Sequence, residues 1–200
     1  MRRGENFIVR TACVVLTSVV MSASAARAQQ LFEDTFDTEP KGLNVTDLTN
    51  WQVITGNVDV IGDPAFFDLF PGNGTYVDMA GSTNGSLESK TLFELTPGDY
   101  ELAFDIASNL GGNVLNFSVG SLTNGSMNAP AMFETVTHPF TVNMTTNARI
   151  LFEEVGPLDA GGSVLDDVRL TRVNVPEPSS VGLLLAGCLG FQVRRSRRTV

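Results

Sequence analysis

Apolar side chains alternate with polar ones along much of this chain, and this two-residue period constrains the fold more than any other feature. The clearest example is the segment 99–106, in which every second residue is apolar: Tyr100, Leu102, Phe104 and Ile106. Successive side chains of a strand point to opposite faces of a sheet, so the pattern predicts a strand with one buried face. The same period recurs in shorter runs: Trp51 and Val53, Val58 and Val60, Leu115 to Val119, Ile150 and Phe152, and Val164 to Leu170.

Turn-forming dipeptides separate these runs at short intervals. They are Gly56-Asn57, Asn73-Gly74, Asn84-Gly85, Pro97-Gly98, Gly111-Gly112, Asn124-Gly125 and Gly161-Gly162. Such pairs favour tight turns because glycine and asparagine tolerate left-handed backbone angles. No window of helical length between residues 29 and 174 carries an amphipathic stripe. Eight to ten short strands in this region predict an all-β fold, an antiparallel β-sandwich of the jelly-roll type.

The N-terminal residues have the pattern of a secretory signal peptide. Basic residues precede an apolar stretch at 11–21, which runs through small residues into Ala26-Arg27-Ala28. This A-x-A pattern predicts cleavage after Ala28, so residues 1–28 are removed and Gln29 becomes the first residue. The prediction implies export by the Sec translocon and processing by signal peptidase. The alternative is an uncleaved anchor, which the short apolar core and the Ser/Ala-rich exit disfavour.

The C-terminal residues 175–198 combine three features in a fixed order. Val175-Pro176-Glu177-Pro178 comes first, an apolar segment at 181–193 follows, and basic residues close the chain: Arg194, Arg195, Arg197 and Arg198. A basic cluster beside an apolar segment stays on the cytoplasmic side of a membrane. The segment predicts a hydrophobic helix shorter than the roughly 20 residues of a comfortable span, and Gln192 interrupts it.

This tail resembles the PEP-CTERM sorting signal of Gram-negative bacteria that make exopolysaccharide. The resemblance implies recognition of Pro176, Glu177 and Pro178 by an exosortase. It further implies a precursor held in the inner membrane and then a protein at the cell surface or in the extracellular matrix. An ordinary C-terminal anchor is the alternative, and whether the tail is cleaved stays open.

Charge separates the predicted mature domain, residues 29–174, from its two signals. This region holds five basic and twenty acidic residues, a net charge of 5 − 20 = −15. Such a surface repels phosphate backbones, which excludes nucleic acid as a partner and leaves cations and neutral sugars. The two cysteines, Cys13 and Cys188, fall inside the signals. The domain therefore has no disulfide and must be stabilised by its packed core.

The order of motifs through the domain also resembles galactose-binding-like jelly rolls. The motifs are Asn50 to Val53, Gly56 to Gly62, Thr75 to Gly81, Pro97 to Phe104 and Leu165 to Val168. The resemblance implies a carbohydrate-binding or structural module, in which a calcium ion can tie the early strand to the last one. Carboxylate oxygens are suitable calcium ligands. The candidate ligands in this chain are Asp34, Asp37, Asp166 and Asp167.

Aromatic residues in turn-rich segments give a second candidate site. Trp51, Tyr76 and Phe67 are the candidates, since sugar rings stack their C–H faces on aromatic side chains. The alternative, which we favour for the single tryptophan, is that these rings pack the core.

No residue pattern indicates a catalytic mechanism. His138 is the only histidine and has no partner base nearby in sequence, and no nucleophile elbow or transition-metal motif occurs. The sequence therefore predicts a non-enzymatic surface or matrix protein that is structural or associates with carbohydrate. The rival is a glycan-active hydrolase or lyase that uses acidic residues. Six Asn-x-Ser/Thr sequons, at Asn44, Asn73, Asn84, Asn116, Asn124 and Asn143, leave glycosylation open.

Overall fold

A computed structural model describes residues 27–62, 66–108, 110–157 and 161–175 of the chain. These residues form fourteen β-strands, ten of which have six residues or fewer. The strands are β1 Arg27–Asp34, β2 Gly42–Val45, β3 Trp51–Thr55, β4 Val58–Ile61, β5 Tyr76–Asp78, β6 Ser86–Ser89, β7 Phe93–Leu95, β8 Gly98–Ser108, β9 Val114–Val119, β10 Thr123–Asn128, β11 Glu134–Val142, β12 Thr146–Ala148, β13 Ile150–Glu154 and β14 Ser163–Val175.

Two antiparallel sheets face each other. The larger has seven strands in the order β11-β8-β14-β5-β4-β2, with β1 also paired to β14. The smaller has five strands in the order β10-β9-β13-β6-β3, and β7 pairs with β12 separately. The predicted antiparallel sandwich is confirmed. The number of strands was predicted too low, because several strands have only three or four residues.

The main core lies between the two sheets and is rich in aromatic rings. Phe104 of the larger sheet contacts Phe117 and Phe152 of the smaller one, each with ring centroids 5.1 Å apart. Trp51 packs against Phe152 at 5.7 Å. Such ring pairs add to the burial free energy that must stabilise a domain without disulfides.

The longest strand, β14, contains a bulge that the sequence pattern does not indicate. Leu165 and Val168 are both fully buried, although residues three apart on a regular strand point to opposite faces. The pairing with β8 shifts between Asp166 and Arg169, and Asp167 has a φ of 47°. This left-handed residue absorbs the extra position and returns the strand to its buried face.

A second, smaller apolar cluster covers part of the outer face of the seven-stranded sheet. Tyr76, Val164 and Ile61 form it with Phe70, and Phe133 packs against them. The Tyr76 hydroxyl accepts hydrogen bonds from the backbone N–H groups of Leu69 (2.6 Å) and Phe70 (2.9 Å). The loop before β5 is thereby fixed across the sheet.

One predicted turn is a strand. The sequence predicts a turn at Asn124-Gly125, but both residues lie within β10. A Cβ atom on Gly125 would lie 2.3 Å from the ring of Phe117. The glycine is therefore required for close packing rather than for a turn.

Most of the two predicted signals lies outside the described residues. At the N-terminus, residues 1–26 are not described, and they include Ala26 of the predicted cleavage site. At the C-terminus, residues 176–200 are not described. They include the remaining residues of the predicted sorting motif and the basic cluster: Pro176, Glu177, Pro178, Arg194, Arg195, Arg197 and Arg198. Ala28 and Gln29, which flank the predicted cleavage point, belong to β1, and Val175 ends β14. Within the described ranges no helix has the length and apolar character needed to cross a membrane.

Candidate functional site: a polar groove on the five-stranded sheet

A groove crosses three neighbouring strands on the outer face of the five-stranded sheet. Six side chains line it: Asn124 and Ser126 on β10, Asn116 and Ser118 on β9, and Leu151 and Glu153 on β13. We call these six residues the groove. Its volume is about 320 Å³, at the lower end of the range for small-molecule sites, about 300–1,000 Å³.

Strand register arranges the groove in two rows. One row runs Asn124, Ser118, Leu151, and the other runs Ser126, Asn116, Glu153. Neighbours within a row are about 4.8 Å apart, and the rows are separated by two residues, about 6.7 Å along each strand. Between the rows, Gly125 pairs with Phe117, whose ring is buried. Both of these residues also line the cavity between the two rows.

The groove is polar and carries one charge. Five of its six side chains are amides, hydroxyls or a carboxylate, and the sixth, Leu151, is apolar. The side chain of Glu153 is exposed and makes no hydrogen bond or ion pair with any other described residue. Arg149 lies two residues before Leu151, but its guanidinium donates to the carbonyl of Ser89 (2.5 Å) and lies 3.7 Å from Glu88. None of the described lining residues is basic.

The three aromatic candidates do not come together. Trp51 and Tyr76 are fully buried in separate apolar clusters. A ring without exposed surface offers no face to a sugar, so their positions favour the core alternative and do not support a binding role. Phe67 is 61% exposed, but it lies on the loop beside Phe66, 5.2 Å between ring centroids, and not in the groove.

The four calcium candidates separate into two environments. Asp34 points into the core, where its carboxylate accepts hydrogen bonds from the indole Nε1 of Trp51 (2.8 Å), the amide of Asn50 (3.1 Å) and the backbone of Phe36 (2.9 Å). These donors use both of its oxygens. Asp34 is therefore a structural residue that positions the tryptophan.

The other three candidates lie near one another: Asp166 and Asp167 on β14, and Asp37 in the turn that follows β1. Burial, together with the negative charges of Asp37, Asp167 and Asp105, raises the pKa of Asp166 to about 7. Asp167 is paired with Arg169 at 2.6 Å, and Asp37 accepts the backbone N–H of Thr75 at 3.0 Å. Among the described residues, no group of three or more acidic, histidine or cysteine side chains has a metal-binding arrangement. The predicted four-carboxylate set is not assembled, and calcium binding stays a prediction.

His138 lies between the sheets at their open edge. It is on β11, and its Nε2 is 2.7 Å from the hydroxyl of Thr123 on β10. Its ring contacts Phe117 edge-on at 5.1 Å. The histidine therefore links the two edge strands, a role that its sequence context does not indicate.

Sequence reasoning missed the groove because its edge strand, β10, carries no apolar alternation. β10 reads Thr-Asn-Gly-Ser-Met-Asn, and in sequence its two groove residues indicate only a turn and a sequon. Asn116 and Asn124 both begin sequons. Their clustering with serines on neighbouring strands is a signal that becomes visible only when the register is known.

Comparison with known proteins finds similarity only among solved structures. No protein-family model matches the sequence. No curated protein sequence matches it. A carbohydrate-binding module of Cellvibrio mixtus lichenase 5A, solved with cellotriose, is 21% identical, with a TM-score of 0.40 over 62% of this chain and 91% of that one.

Two further modules are similar to the same degree. TmCBM61, solved with β-1,4-galactotriose, is 17% identical, with a TM-score of 0.45 over 64% of this chain and 91% of that one. The C-terminal CBM6 of the Zobellia galactanivorans enzyme LamC is 12% identical, with a TM-score of 0.39 over 73% and 100%. At such scores and identities these similarities carry no argument about ligand or site.

Proposed function

We propose that this protein is an exported, non-catalytic module that associates with carbohydrate through the groove. One observation carries the proposal: two rows of side chains, five of the six with amide, hydroxyl or carboxylate groups, line a cavity of about 320 Å³ on the outer face of the five-stranded sheet.

The chemistry of the groove suits a neutral glycan. Amide and hydroxyl side chains both donate and accept hydrogen bonds, as sugar hydroxyls do. Leu151 offers an apolar contact for the C–H face of a sugar ring. The absence of basic groups from the described lining disfavours phosphate and carboxylate polymers.

Affinity electrophoresis tests this proposal. The purified protein is run in native gels that contain β-glucan, xylan or galactan. The double variant Asn116→Ala/Asn124→Ala should bind the retarding polysaccharide at least about fivefold more weakly, because it loses amide contacts from both rows. Asn128→Ala is the matched control, since Asn128 lies on β10 and outside the groove lining.

Two outcomes would contradict the proposal. One is the absence of retardation by every polysaccharide. The other is a double variant that migrates like Asn128→Ala in every gel.

The groove does not favour the rival hydrolase function. Glycoside hydrolysis uses two carboxylates across the scissile bond, one of them with a raised pKa. The groove lining contains one carboxylate, Glu153. Asp166, whose pKa burial raises to about 7, lies on the seven-stranded sheet and is 9% exposed.

The sorting signal supplies the proposed location. Recognition of Pro176-Glu177-Pro178 by an exosortase would deliver the groove to the cell surface or the extracellular polysaccharide of a Gram-negative host. Intact mass and cell fractionation test this in strains with and without the exosortase. We expect a species that begins at Gln29 and ends near Pro178, present only when the exosortase is present. A full-length C-terminus in the inner membrane of both strains would instead indicate an ordinary anchor.

A further inference from the structure

We infer that the row Ser126, Asn116, Glu153 recognises a protonated amine on the glycan, so that the groove prefers polymers of amino sugars with free amino groups. This inference rests on the proposed function of the groove and names its substrate class. It depends on the neighbourhood of Glu153, which the neutral sugar proposal does not explain.

Three side chains that can accept hydrogen bonds from a protonated amine lie side by side in that row. Glu153 pairs directly with Asn116 on β9, and Asn116 pairs directly with Ser126 on β10. An ammonium group has three N–H donors and no acceptor. A carboxylate, an amide oxygen and a hydroxyl oxygen on adjacent strands can accept all three.

The charge of Glu153 is available to a ligand. The adjacent Glu154 is 4% exposed, and its oxygens accept the backbone N–H groups of Ser163 (2.7 Å) and Gly156 (2.7 Å). Glu153 points the opposite way, is exposed, and has no such contact with a described residue. Glu88, the nearest carboxylate on β6, lies 3.7 Å from Arg149. Glu153 is therefore the one uncompensated charge of the groove.

The second row explains why the preference would be for an amino sugar rather than a simple polyamine. Asn124, Ser118 and Leu151 combine two neutral polar groups with one apolar side chain about 6.7 Å from the charged row. A ring with hydroxyls on its edges and C–H groups on its face matches this row. A bare alkyl ammonium chain would leave both polar groups without partners.

The test compares a β-1,4-glucosamine hexamer with cellohexaose, which differs by a hydroxyl in place of each amine. Isothermal titration is run with EDTA at a pH at which the amines are protonated. We expect the amine hexamer to bind about threefold more tightly, the effect of one exposed ion pair. Glu153→Gln should abolish this preference, so that the two hexamers bind the variant equally well.

Because the whole domain is acidic, attraction of a cationic sugar alone proves nothing. Glu134→Gln is the matched control, since it removes an equal charge from an exposed residue of the other sheet. It should retain the preference, and urea unfolding should show that both variants remain folded.

The outcomes distinguish the inference from the proposed function. Equal effects of Glu153→Gln and Glu134→Gln would overturn the inference, as would an amine hexamer that binds no better than cellohexaose. In either case, binding of any neutral glycan would leave the proposed function standing. Failure to bind every glycan, neutral or amino, would overturn both.

Discussion

Single carboxylates in this domain have different roles that depend on which face of a strand they occupy. Glu153 and Glu154 are adjacent in sequence, yet one points into the groove and the other is buried between the sheets. The sequence predicts that neighbours on a strand face opposite ways. It does not predict which of the two is buried, because that depends on the strand opposite, where Ser163 presents a backbone N–H.

Asp34 gives a direct test of a structural carboxylate. Asp34→Ala would leave the buried Trp51 indole N–H and the Phe36 backbone N–H without their acceptor. We expect the free energy of unfolding to fall by about 2–4 kcal/mol in urea titrations. Asp47→Ala removes an exposed ion pair with Lys90 and should cost less than about 1 kcal/mol. Equal losses in the two variants would contradict the assigned role.

Asp166 predicts a pH dependence of stability. Its pKa rises from 3.8 in the unfolded chain to about 7 in the folded one, chiefly through burial. The folded protein therefore binds more protons between these values, so this residue's contribution to stability is present below about pH 4 and is lost as the pH rises through 7. In EDTA at pH 8, Asp166→Asn should be more stable than wild type by roughly 1–2 kcal/mol after allowance for solvent screening.

The measurement that isolates Asp166 is the difference in free energy of unfolding between Asp166→Asn and wild type, because other carboxylates titrate in the same pH range in both proteins. It should shrink as the pH is lowered towards 4. A difference that does not change with pH would show that Asp166 is ionised with an ordinary pKa.

At the scale of elements, the apolar alternation predicted the long core strands but not the strand that builds the groove. β8, β9, β13 and β14 each carry the two-residue period and were predicted as strands. β10 has one large apolar residue, Met127, and lies at the edge of its sheet, where one face and one side are open. Its position is fixed by backbone pairing with β9. Backbone pairing does not require a particular side-chain pattern, so a polar strand such as β10 cannot be recognised from the period of its sequence.

Gly125 tests the register on which the groove depends. A Cβ atom at this position would meet the Phe117 ring at 2.3 Å. Gly125→Ala should therefore destabilise the domain by about 1–3 kcal/mol through overpacking. Ser126→Ala, the next residue, faces outward and should change stability by less than about 0.5 kcal/mol. If the two variants were equally stable to urea, the register of β10 would be wrong.

The predicted calcium ion would stabilise the domain by joining the segment that follows the first strand to the last strand. If Asp37 and Asp166 bind it with the weak affinity of extracellular modules, 5 mM calcium should stabilise the domain by about 1–2 kcal/mol, or several degrees in Tm. EDTA should reverse the shift, and Asp166→Asn should remove it, whereas Asp47→Asn should not. A Tm indifferent to both calcium and EDTA would end the calcium prediction.

At the scale of the whole molecule, the outer faces of the two sheets differ: one carries the groove and the other is partly covered by a loop. The seven-stranded sheet is partly covered by the loop that carries Phe66 and Phe70, and acidic side chains gather beside it. The five-stranded sheet carries the groove. The sequence predicted the sandwich and the export of the chain, but assigning a face required the paired strands.

The most direct test of the account is an amide-resolved NMR titration of the protein with a glycan that retards it in native gels. We expect chemical-shift changes to centre on residues 116–118, 124–126 and 151–153, with affinity that falls in the Asn116→Ala/Asn124→Ala variant. Changes centred on the seven-stranded sheet or on the loop around Phe67 would contradict the assignment of the groove as the carbohydrate site.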